Sequence, residues 1–249
     1  MARREEIIRR IRKALGRPLD AGSMANEGAL PPASPLVGIL PTIPSQEMLS
    51  KFEAELTKVA GVAHRAANRQ ELEETLKTIL SHAHASSVVL SRNPLLAQLN
   101  LEALLRAWGM HVSVWQPSGA GDAPVRGDTS LRVFAEAGFA ATVGITGVEF
   151  ALAETGSLVV TSWTEGAQLA SLAPPVHIAL YRRSQLAASL DEVLERLPMA
   201  RGPEQAVPGR SVVFITGTSR TADIEQILVR GVHGPGEIHA ILVEAASFS

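Results

Sequence analysis

Glu154 is the side chain whose position in the sequence most suggests chemistry. The local spacing predicts a short helix with Glu154 in its last turn, where a carboxylate faces the negative end of the helix dipole. The adjacent Thr155, Gly156 and Ser157 supply two hydroxyls and a backbone that a ligand can approach closely. We therefore predict that Glu154 is a general acid or base, or a hydrogen-bond acceptor for a substrate, with those three neighbours as binding residues. A solvated surface carboxylate is the alternative.

The start of the same loop contributes Thr146 and Gly147, which end the preceding predicted strand. Thr146 and Glu149 have the T-x-x-E spacing of a capping box, in which a hydroxyl and a carboxylate bond reciprocally to the first turn of a helix. Glu149 is therefore predicted to be a helix cap. Thr146 and Gly147 are predicted to bind substrate where the strand ends.

A second loop, residues 216–221, lies between a buried predicted strand and a predicted helix. The free N–H groups of a helix N-terminus, together with hydroxyls and an arginine, bind phosphate or carboxylate. Asp223 and Glu225 in the first turns would repel an anion, so an ordinary helix start capped by Thr221 is an equal alternative. The residues predicted to bind the anion are Gly217, Thr218, Ser219, Arg220 and Thr221.

A third loop, residues 231–236, contains the second candidate catalytic residue, His233. Gly231 is predicted to be the C-cap of the preceding helix. His233 lies among three glycines, which let a ligand or another backbone approach, although a solvated loop histidine is the alternative. His82 and His84 are two residues apart, which is not the spacing of a metal-binding pair on one helix face. We therefore predict no metal held by this chain.

The elements that position these loops alternate between apolar and amphipathic segments from about Gln46 onward. This alternation predicts an α/β fold, with a mostly parallel sheet flanked by helices. Ligands of such sheets bind at the carboxyl ends of the strands, which is why the three loops are candidates. The predicted strands are 87–90, 112–115, 156–161, 176–180, 211–216 and 238–243, with a further apolar run over 139–145. The predicted helices are 48–59, 68–80, 95–104, one around 131–134, 185–197 and 221–230.

The first 45 residues differ from the rest of the chain. Residues 1–17 carry seven Lys or Arg against two Glu, and their apolar residues have helical spacing, which predicts a basic amphipathic helix. Residues 16–45 contain six of the fifteen prolines, which predicts a linker that tethers the helix. We therefore divide the chain into a helix with its linker, residues 1–45, and an α/β domain, residues 46–249. The helix could dock on a partner or on a second copy of the chain, so a homo-oligomer is one expected arrangement.

The composition excludes several classes of function. The chain has no Cys, so it offers no thiol nucleophile and no thiolate ligands for zinc or an iron–sulfur cluster. A net charge of −2 and ten aromatic residues give no reason to expect a nucleic-acid partner. The chain also lacks a transmembrane-length apolar run and the glycine-rich signatures of nucleotide sites. We expect a soluble, cytoplasmic protein that holds no cofactor of its own.

Several of these segments together resemble a known family. They include Glu154–Val159, Pro174–Ile178, Thr218–Glu225, Gly231–Pro235 and His239–Val243, with a similar N-terminal helix at Ile8–Arg17. The pattern is similar to the LUD domain of the lactate-utilisation protein C family. The resemblance implies a fold similar to the NagB/RpiA/CoA-transferase superfamily, and a role with iron–sulfur partner proteins in oxidising L-lactate to pyruvate. It implies no established catalytic residue.

Three functional hypotheses follow. The first is a component of a multi-subunit L-lactate oxidoreductase rather than an enzyme acting alone. The second is a stand-alone small-molecule enzyme or anion-binding protein, with a sugar phosphate, a carboxylate or a CoA ester as ligand. The third is a regulatory or assembly module without chemistry of its own. Fold analogy does not choose among them, because unrelated activities share this architecture.

Overall fold

The computed structural model of the 249-residue chain describes residues 10, 43–115, 129–197, 211–222 and 228–244. For residues 129–131, 221–222 and 228–230 it describes the backbone alone. The chain divides after Leu40 into two units, and all described residues except Arg10 belong to the second, Pro41–Ser249. The predicted basic helix and tether therefore lie outside the described residues, apart from Arg10 and residues 43–45.

Helices and strands follow one another along the second unit. The helices are α1 (Met48–Lys58), α2 (Arg69–His82), α3 (Pro94–Gln98), α4 (Leu101–Ala107), α5 (Thr129–Ala140), α6 (Ser162–Glu165) and α7 (Leu190–Arg196), with 3₁₀ turns at Gln168–Ser171 and Arg183–Gln185. The strands are β1 (Val62–Ala66), β2 (Ser87–Leu90), β3 (His111–Val114), β4 (Val143–Thr146), β5 (Phe150–Leu152), β6 (Ser157–Thr161), β7 (Val176–Tyr181), β8 (Leu186–Ala187), β9 (Val212–Ile215), β10 (Arg220–Ala222), β11 (Leu228–Arg230) and β12 (Glu237–Val243).

A six-stranded sheet in the order β1-β12-β7-β4-β2-β3 forms the centre of the fold, and every neighbouring pair in it is parallel. Both faces are covered, because alternate residues of β7 belong to different apolar clusters: Ile178 to the one that contains α2, and Ala179 to the one that contains α1. A parallel sheet buried on both faces explains the continuous Val, Ile and Leu runs of its strands. The predicted α/β fold with a mostly parallel sheet flanked by helices is confirmed.

A second sheet, in the order β8-β5-β6-β9, was not predicted. The helix predicted before Glu154 is wrong: Phe150–Leu152 is strand β5, which pairs antiparallel with β6. All three of its residues are buried, and Phe150 and Ala151 pack into two different clusters, which a strand between two layers permits. The predicted strands at 156–161 and 211–216 exist as β6 and β9, but they pair with each other in this sheet.

The helix predicted over 221–230 is also wrong. Residues Arg220–Ala222 and Leu228–Arg230 form the antiparallel pair β10 and β11, with Thr221 opposite Val229. Both of these residues are β-branched, which favours a strand over a helix. Thr221 is therefore not a helix N-cap and Gly231 is not a helix C-cap.

The other predicted helices differ mainly in their ends. Helix α1 is confirmed, and so is α2, whose N-cap Asn68 accepts a hydrogen bond from the Glu71 backbone N–H as the capping box predicts. The helix predicted over 95–104 is two helices, because Asn100 adopts a left-handed conformation between α3 and α4. The helix predicted over 185–197 is shortened to α7, because Leu186 and Ala187 pair with β5. No helix among the described residues is long and apolar enough to cross a membrane.

The connections of the central sheet reverse direction between two neighbouring strands. From β2 the chain crosses to β3 at one edge, and from β4 it proceeds toward β7 on the other side. The loops after β2 and β4 therefore diverge, which leaves a topological switch point between the carboxyl ends of these two strands. In open α/β sheets this is where ligands bind.

Candidate functional site

A buried carboxylate, Glu165, occupies the switch point. It is the last residue of α6 and its side chain is completely buried. The Ser91 hydroxyl donates to it at 2.5 Å, the Gly147 backbone N–H donates at 3.1 Å, and the Asn93 side-chain amide donates as well. We call Ser91, Asn93, Gly147 and Glu165 the switch-point cluster.

Local sequence explains how the donors reach this position. Ser91 and Asn93 follow β2 directly, and the Asn93 side-chain oxygen also accepts from the Leu95 N–H at 2.9 Å, so Asn93 caps α3 and binds Glu165 with its amide nitrogen. Gly147 follows β4. A Cβ there would lie 2.2 Å from the Asn93 side chain, so only glycine brings its N–H this close to the carboxylate.

Burial raises the pKa of Glu165 above its ordinary value, because removing the carboxylate from water disfavours its charged form. The hydrogen bonds from Ser91, Asn93, Gly147 and Thr164 act in the opposite direction and stabilise the charge. A carboxyl group in this environment can hold a proton and can give it up to a nearby group. The same donors can also recognise a carboxylate that comes from a ligand.

A histidine lies directly beside this cluster. Thr146, the residue before Gly147, is buried, and its hydroxyl is 2.8 Å from Nε2 of His177. His177 is also buried, its pKa falls to about 3 because burial penalises the imidazolium, and its Nδ1 has no hydrogen-bond partner among the described residues. His177 is therefore neutral at pH 7.

The capping box predicted for Thr146 and Glu149 is wrong, because Thr146 belongs to β4 and Glu149 accepts a hydrogen bond from the Thr161 hydroxyl at 3.3 Å instead.

A second polar group joins β6 to the residue after β9. Ser157 lies 2.7 Å from the Thr155 hydroxyl and 2.6 Å from the Thr216 hydroxyl, so three hydroxyls form one chain. We call Thr155, Ser157 and Thr216 the hydroxyl cluster. Two residues further on, Thr218 is 7% exposed, and its hydroxyl has no partner among the described residues. Two predicted binding residues of the first loop, Thr155 and Ser157, are therefore joined to Thr216, the residue that begins the second loop.

Backbone contacts fasten this region to its surroundings. The Thr218 N–H donates to the carbonyl of Val59 at the end of α1, at 3.3 Å. The Ser219 N–H donates to the Pro235 carbonyl at 2.9 Å, and the Gly231 N–H donates to the Ser219 carbonyl at 3.0 Å. The third predicted loop therefore lies beside the second. Gly217 belongs to the turn before Thr218, and the predicted helix N-terminus is absent there because β10 follows.

No hydrogen bond among the described residues joins either predicted catalytic residue to the switch-point cluster. Glu154 is in the turn between β5 and β6 rather than in a helix, and its carboxylate accepts from the Leu190 N–H at the start of α7, at 3.2 Å. This favourable position at a helix N-terminus replaces the unfavourable one that the sequence predicted. His233 is exposed, as is Arg220. Their proposed roles stay predictions.

Sequence reasoning missed three members of the switch-point cluster, Ser91, Asn93 and Glu165. A signal existed for the first two, because Ser91 and Asn93 follow a strand that was correctly predicted, and carboxyl ends of strands were expected to bind ligands. Glu165 had no comparable signal. Its segment is separated from β2 by more than 70 residues and carries no recognisable spacing.

A chain of three titratable groups runs along β12 and β1. The Glu237 carboxylate is 2.8 Å from Nε2 of His239, and Nδ1 of His239 is 2.9 Å from Nε2 of His64. A carboxylate only accepts hydrogen bonds, so Nε2 of His239 donates to Glu237. Nδ1 of His239 then accepts a hydrogen bond from Nε2 of His64, and Nδ1 of His64 remains as an acceptor. His64 lines a cavity of about 280 Å³ together with residues of α2. The described residues contain no group of three or more His, Asp or Glu that could hold a metal ion.

The sheet and its switch point define an α/β domain with a polar site at the carboxyl ends of the central strands. The chain belongs to the LUD domain family, whose family model matches residues 49–243. The match spans all the strands of the central sheet and both polar clusters.

The relatives agree with this assignment. The chain is 26% identical to a lactate utilization protein C of Halalkalibacterium halodurans over 97% of this chain and 98% of that protein. It is 30% identical to a lactate utilization protein C of Geobacillus thermodenitrificans over 80% of each. Among solved structures, a DUF162 family protein from Deinococcus radiodurans matches with a TM-score of 0.54 and 20% identity, over 81% of this chain and 99% of that one. That likeness supports the fold alone.

Proposed function

We propose that this protein acts in lactate utilisation, as a subunit or accessory protein of an iron–sulfur-dependent system that oxidises L-lactate to pyruvate. The observation that carries the proposal is the match with a lactate utilization protein C over nearly the whole length of both chains. The switch-point cluster supports it, because its donors are of the kind that recognise a carboxylate such as that of lactate.

The amino-acid composition indicates which steps this chain and its partner proteins would each perform. Oxidation of L-lactate to pyruvate releases two electrons and two protons. The chain has no Cys, so clusters held by thiolates would belong to iron–sulfur partner proteins, which would accept the electrons. The contribution of this chain would then be to bind substrate or partner proteins in the cytoplasm.

Growth and association test the proposal together. We expect that deleting the gene abolishes growth on L-lactate but not on glucose, and that the tagged full chain restores growth. We also expect the tagged chain, purified from lactate-grown cells, to bring down iron-bearing, Cys-rich partners that reduce a dye when lactate is added. Normal growth of the deletion strain on lactate would contradict a role in lactate utilisation. Recovery of a solitary, iron-free chain would contradict the role in a complex.

A second candidate function is a stand-alone small-molecule enzyme or anion-binding protein, similar to the NagB/RpiA/CoA-transferase superfamily. The observation that favours it is the convergence of three hydrogen-bond donors at the switch point, where α/β folds bind ligands. Calorimetry with phosphates, carboxylates, nucleotides and CoA esters separates the candidates. Heat from one ligand class without any partner protein favours the second candidate, and no heat from any class contradicts it.

A further inference from the structure

The donors of the switch-point cluster converge on a carboxylate from two different loops. Ser91 and Asn93 come from the loop after β2, and Gly147 comes from the loop after β4. All three are neutral donors directed at the same two oxygens. A hydroxyl, a side-chain amide and a backbone N–H of this kind are also the groups with which proteins recognise the carboxylate of a small ligand.

The carboxylate that fills this position is supplied by a short segment of the chain itself. Helix α6 is only four residues long, and it reaches the site between β6 and the 3₁₀ turn at Gln168–Ser171. Backbone hydrogen bonds hold it at each end, from the Ser162 N–H to the Ser211 carbonyl and from the Arg92 N–H to the Glu165 carbonyl, both at 3.1 Å. Moving the Glu165 carboxylate off the donors therefore requires rotation about its own side-chain bonds and does not require either of these backbone contacts to break.

We propose that Ser91, Asn93 and Gly147 form a binding site for a small monocarboxylate, and that Glu165 occupies it in this structure as an internal ligand. The carboxylate of the ligand replaces that of Glu165 on the same three donors, so the ligand and the side chain compete. The identification of the ligand as a 2-hydroxy acid such as L-lactate rests on the proposed function. The carboxylate site itself does not.

Burial and space determine which ligands compete well. Glu165 regains its hydration when its side chain leaves the buried site, and this offsets the hydration that the carboxylate of the ligand loses on entering it. The ligand must fill the completely buried space that the Glu165 side chain vacates, so the site admits only a small acid. Formate, acetate and L-lactate fit this description. Larger dicarboxylates and phosphorylated acids do not.

Removal of the internal ligand provides the test. Glu165→Ala in the full chain leaves the three donors without an acceptor, and thermal unfolding is then measured with added formate, acetate or L-lactate at matched ionic strength. We expect a saturable rise in the unfolding midpoint of roughly 3 °C for each tenfold increase in carboxylate above its Kd. The wild-type protein should respond much less, because Glu165 competes. Chloride should give no shift.

Glu71→Ala is the matched control. Glu71 also accepts two hydrogen bonds, from the Ala67 N–H at 2.9 Å and from the Asn68 amide at 2.8 Å, but its side chain is exposed. Water replaces it there, so added carboxylates should not raise the midpoint of this variant. An equal rise in both variants, or no rise in folded Glu165→Ala with any of the three acids, would overturn the proposal.

A second measurement applies if Glu165→Ala does not fold. In the wild-type protein, the ¹H–¹⁵N resonance of Gly147 should move saturably when acetate or L-lactate is added, because its N–H changes acceptor. A resonance that does not move with either acid overturns the proposal. A response to formate and acetate but not to L-lactate supports the carboxylate site and removes lactate as its ligand. The growth experiment on lactate reports separately on the proposed function.

Discussion

The switch-point cluster and the hydroxyl cluster are both polar groups inside the same domain, but they are built differently. The first surrounds a buried carboxylate where two parallel strands of the central sheet end. The second consists of neutral hydroxyls that link two antiparallel strands of the second sheet. Only the first lies where the topology of an α/β sheet directs ligands.

Three of the segments that carry the family resemblance lie at or beside the hydroxyl cluster, and none of the segments contains a member of the switch-point cluster. Residues 154–157, 218–220 and 231–235 lie in or beside the hydroxyl cluster, and backbone hydrogen bonds join the last two segments. All four members of the switch-point cluster lie outside the resembling segments, whereas His177 beside it lies within one of them. A recognisable sequence pattern can therefore reflect packing requirements as much as chemistry.

Gly156→Ala should have the largest effect on stability and tests the packing interpretation. A Cβ at Gly156 would lie 2.2 Å from the backbone nitrogen of Leu56 in α1, and its φ of +67° is one that other residues rarely adopt. We expect a loss of more than about 3 kcal/mol in the free energy of unfolding, measured by urea denaturation.

Gly109→Ala is the control for backbone strain. Gly109 has a similar φ of +81°, but no atom lies within 4 Å of the added Cβ. Its substitution should cost only about 1–2 kcal/mol, the cost of the left-handed conformation. Equal losses for the two variants would show that the contact of Gly156 with α1 is not what requires glycine there.

His177 should make the free energy of unfolding depend on pH in a specific way. Because burial lowers its pKa from 6.5 to about 3, the unfolded chain binds a proton below pH 6.5 that the folded protein does not. Stability should therefore fall as the pH decreases from 6.5 toward 3, with a contribution of about 1.4 kcal/mol per pH unit from this residue. His177→Gln keeps a group that can bond to Thr146 and cannot titrate, so its unfolding free energy should depend less steeply on pH.

Other titratable groups also change the free energy of unfolding with pH, in wild type and in His177→Gln alike. The pKa values of His64 and His239 are also lowered, mainly by burial, so they contribute in the same direction. The raised pKa of Glu165 contributes in the opposite direction, because its stabilisation is present at low pH and is lost as the pH rises above 4.5. The difference between wild type and His177→Gln isolates His177. Parallel stability curves would contradict a neutral, buried imidazole.

The part of the fold that local sequence could predict is the central sheet without its edge strand β1, which was missed, together with helices such as α1 and α2. Apolar strands such as 87–90 and the capping box at Asn68 are local signals, and the structure has both. The second sheet depends on long-range pairing instead. Strand β5 exists because β6 and β8 supply partners for it, and the T-x-x-E spacing at Thr146 is overridden by the bond to His177.

The candidate site could be predicted only in part for the same reason. The rule that ligands bind at carboxyl ends of strands drew attention to Thr146 and Gly147, and Gly147 is a member of the switch-point cluster. It could not indicate Glu165, because α6 reaches those strands through tertiary contacts that no local pattern encodes. The helix predicted over 221–230 failed because Thr221 and Ala222 pair antiparallel with Val229 and Leu228, a pairing that the apparent helical spacing of the segment did not reveal.

Glu154→Gln should have only a small effect on stability, and it tests the hypothesis that Glu154 is a general acid or base. Its carboxylate accepts one hydrogen bond, from the Leu190 N–H, and a glutamine side-chain oxygen can accept the same bond. We therefore expect a change below about 1 kcal/mol in the free energy of unfolding. A protein of nearly normal stability that fails to support growth on lactate would show that Glu154 has a chemical role, although its described hydrogen bond is to Leu190 and not to the switch-point cluster.

His233→Ala completes this comparison, because the side chain is exposed and its removal should leave stability unchanged. If both variants support normal lactate-dependent dye reduction in the purified complex, acid–base chemistry by these two residues is contradicted. The assembly-module hypothesis predicts that result together with loss of activity on deletion of residues 1–17.

Glu165→Ala separates the remaining possibilities. If Glu154→Gln and His233→Ala are active but folded Glu165→Ala is inactive, the chemistry of this domain belongs to the switch point. In that case the family pattern around Glu154 marks the architecture that holds β5, β6 and α7 together.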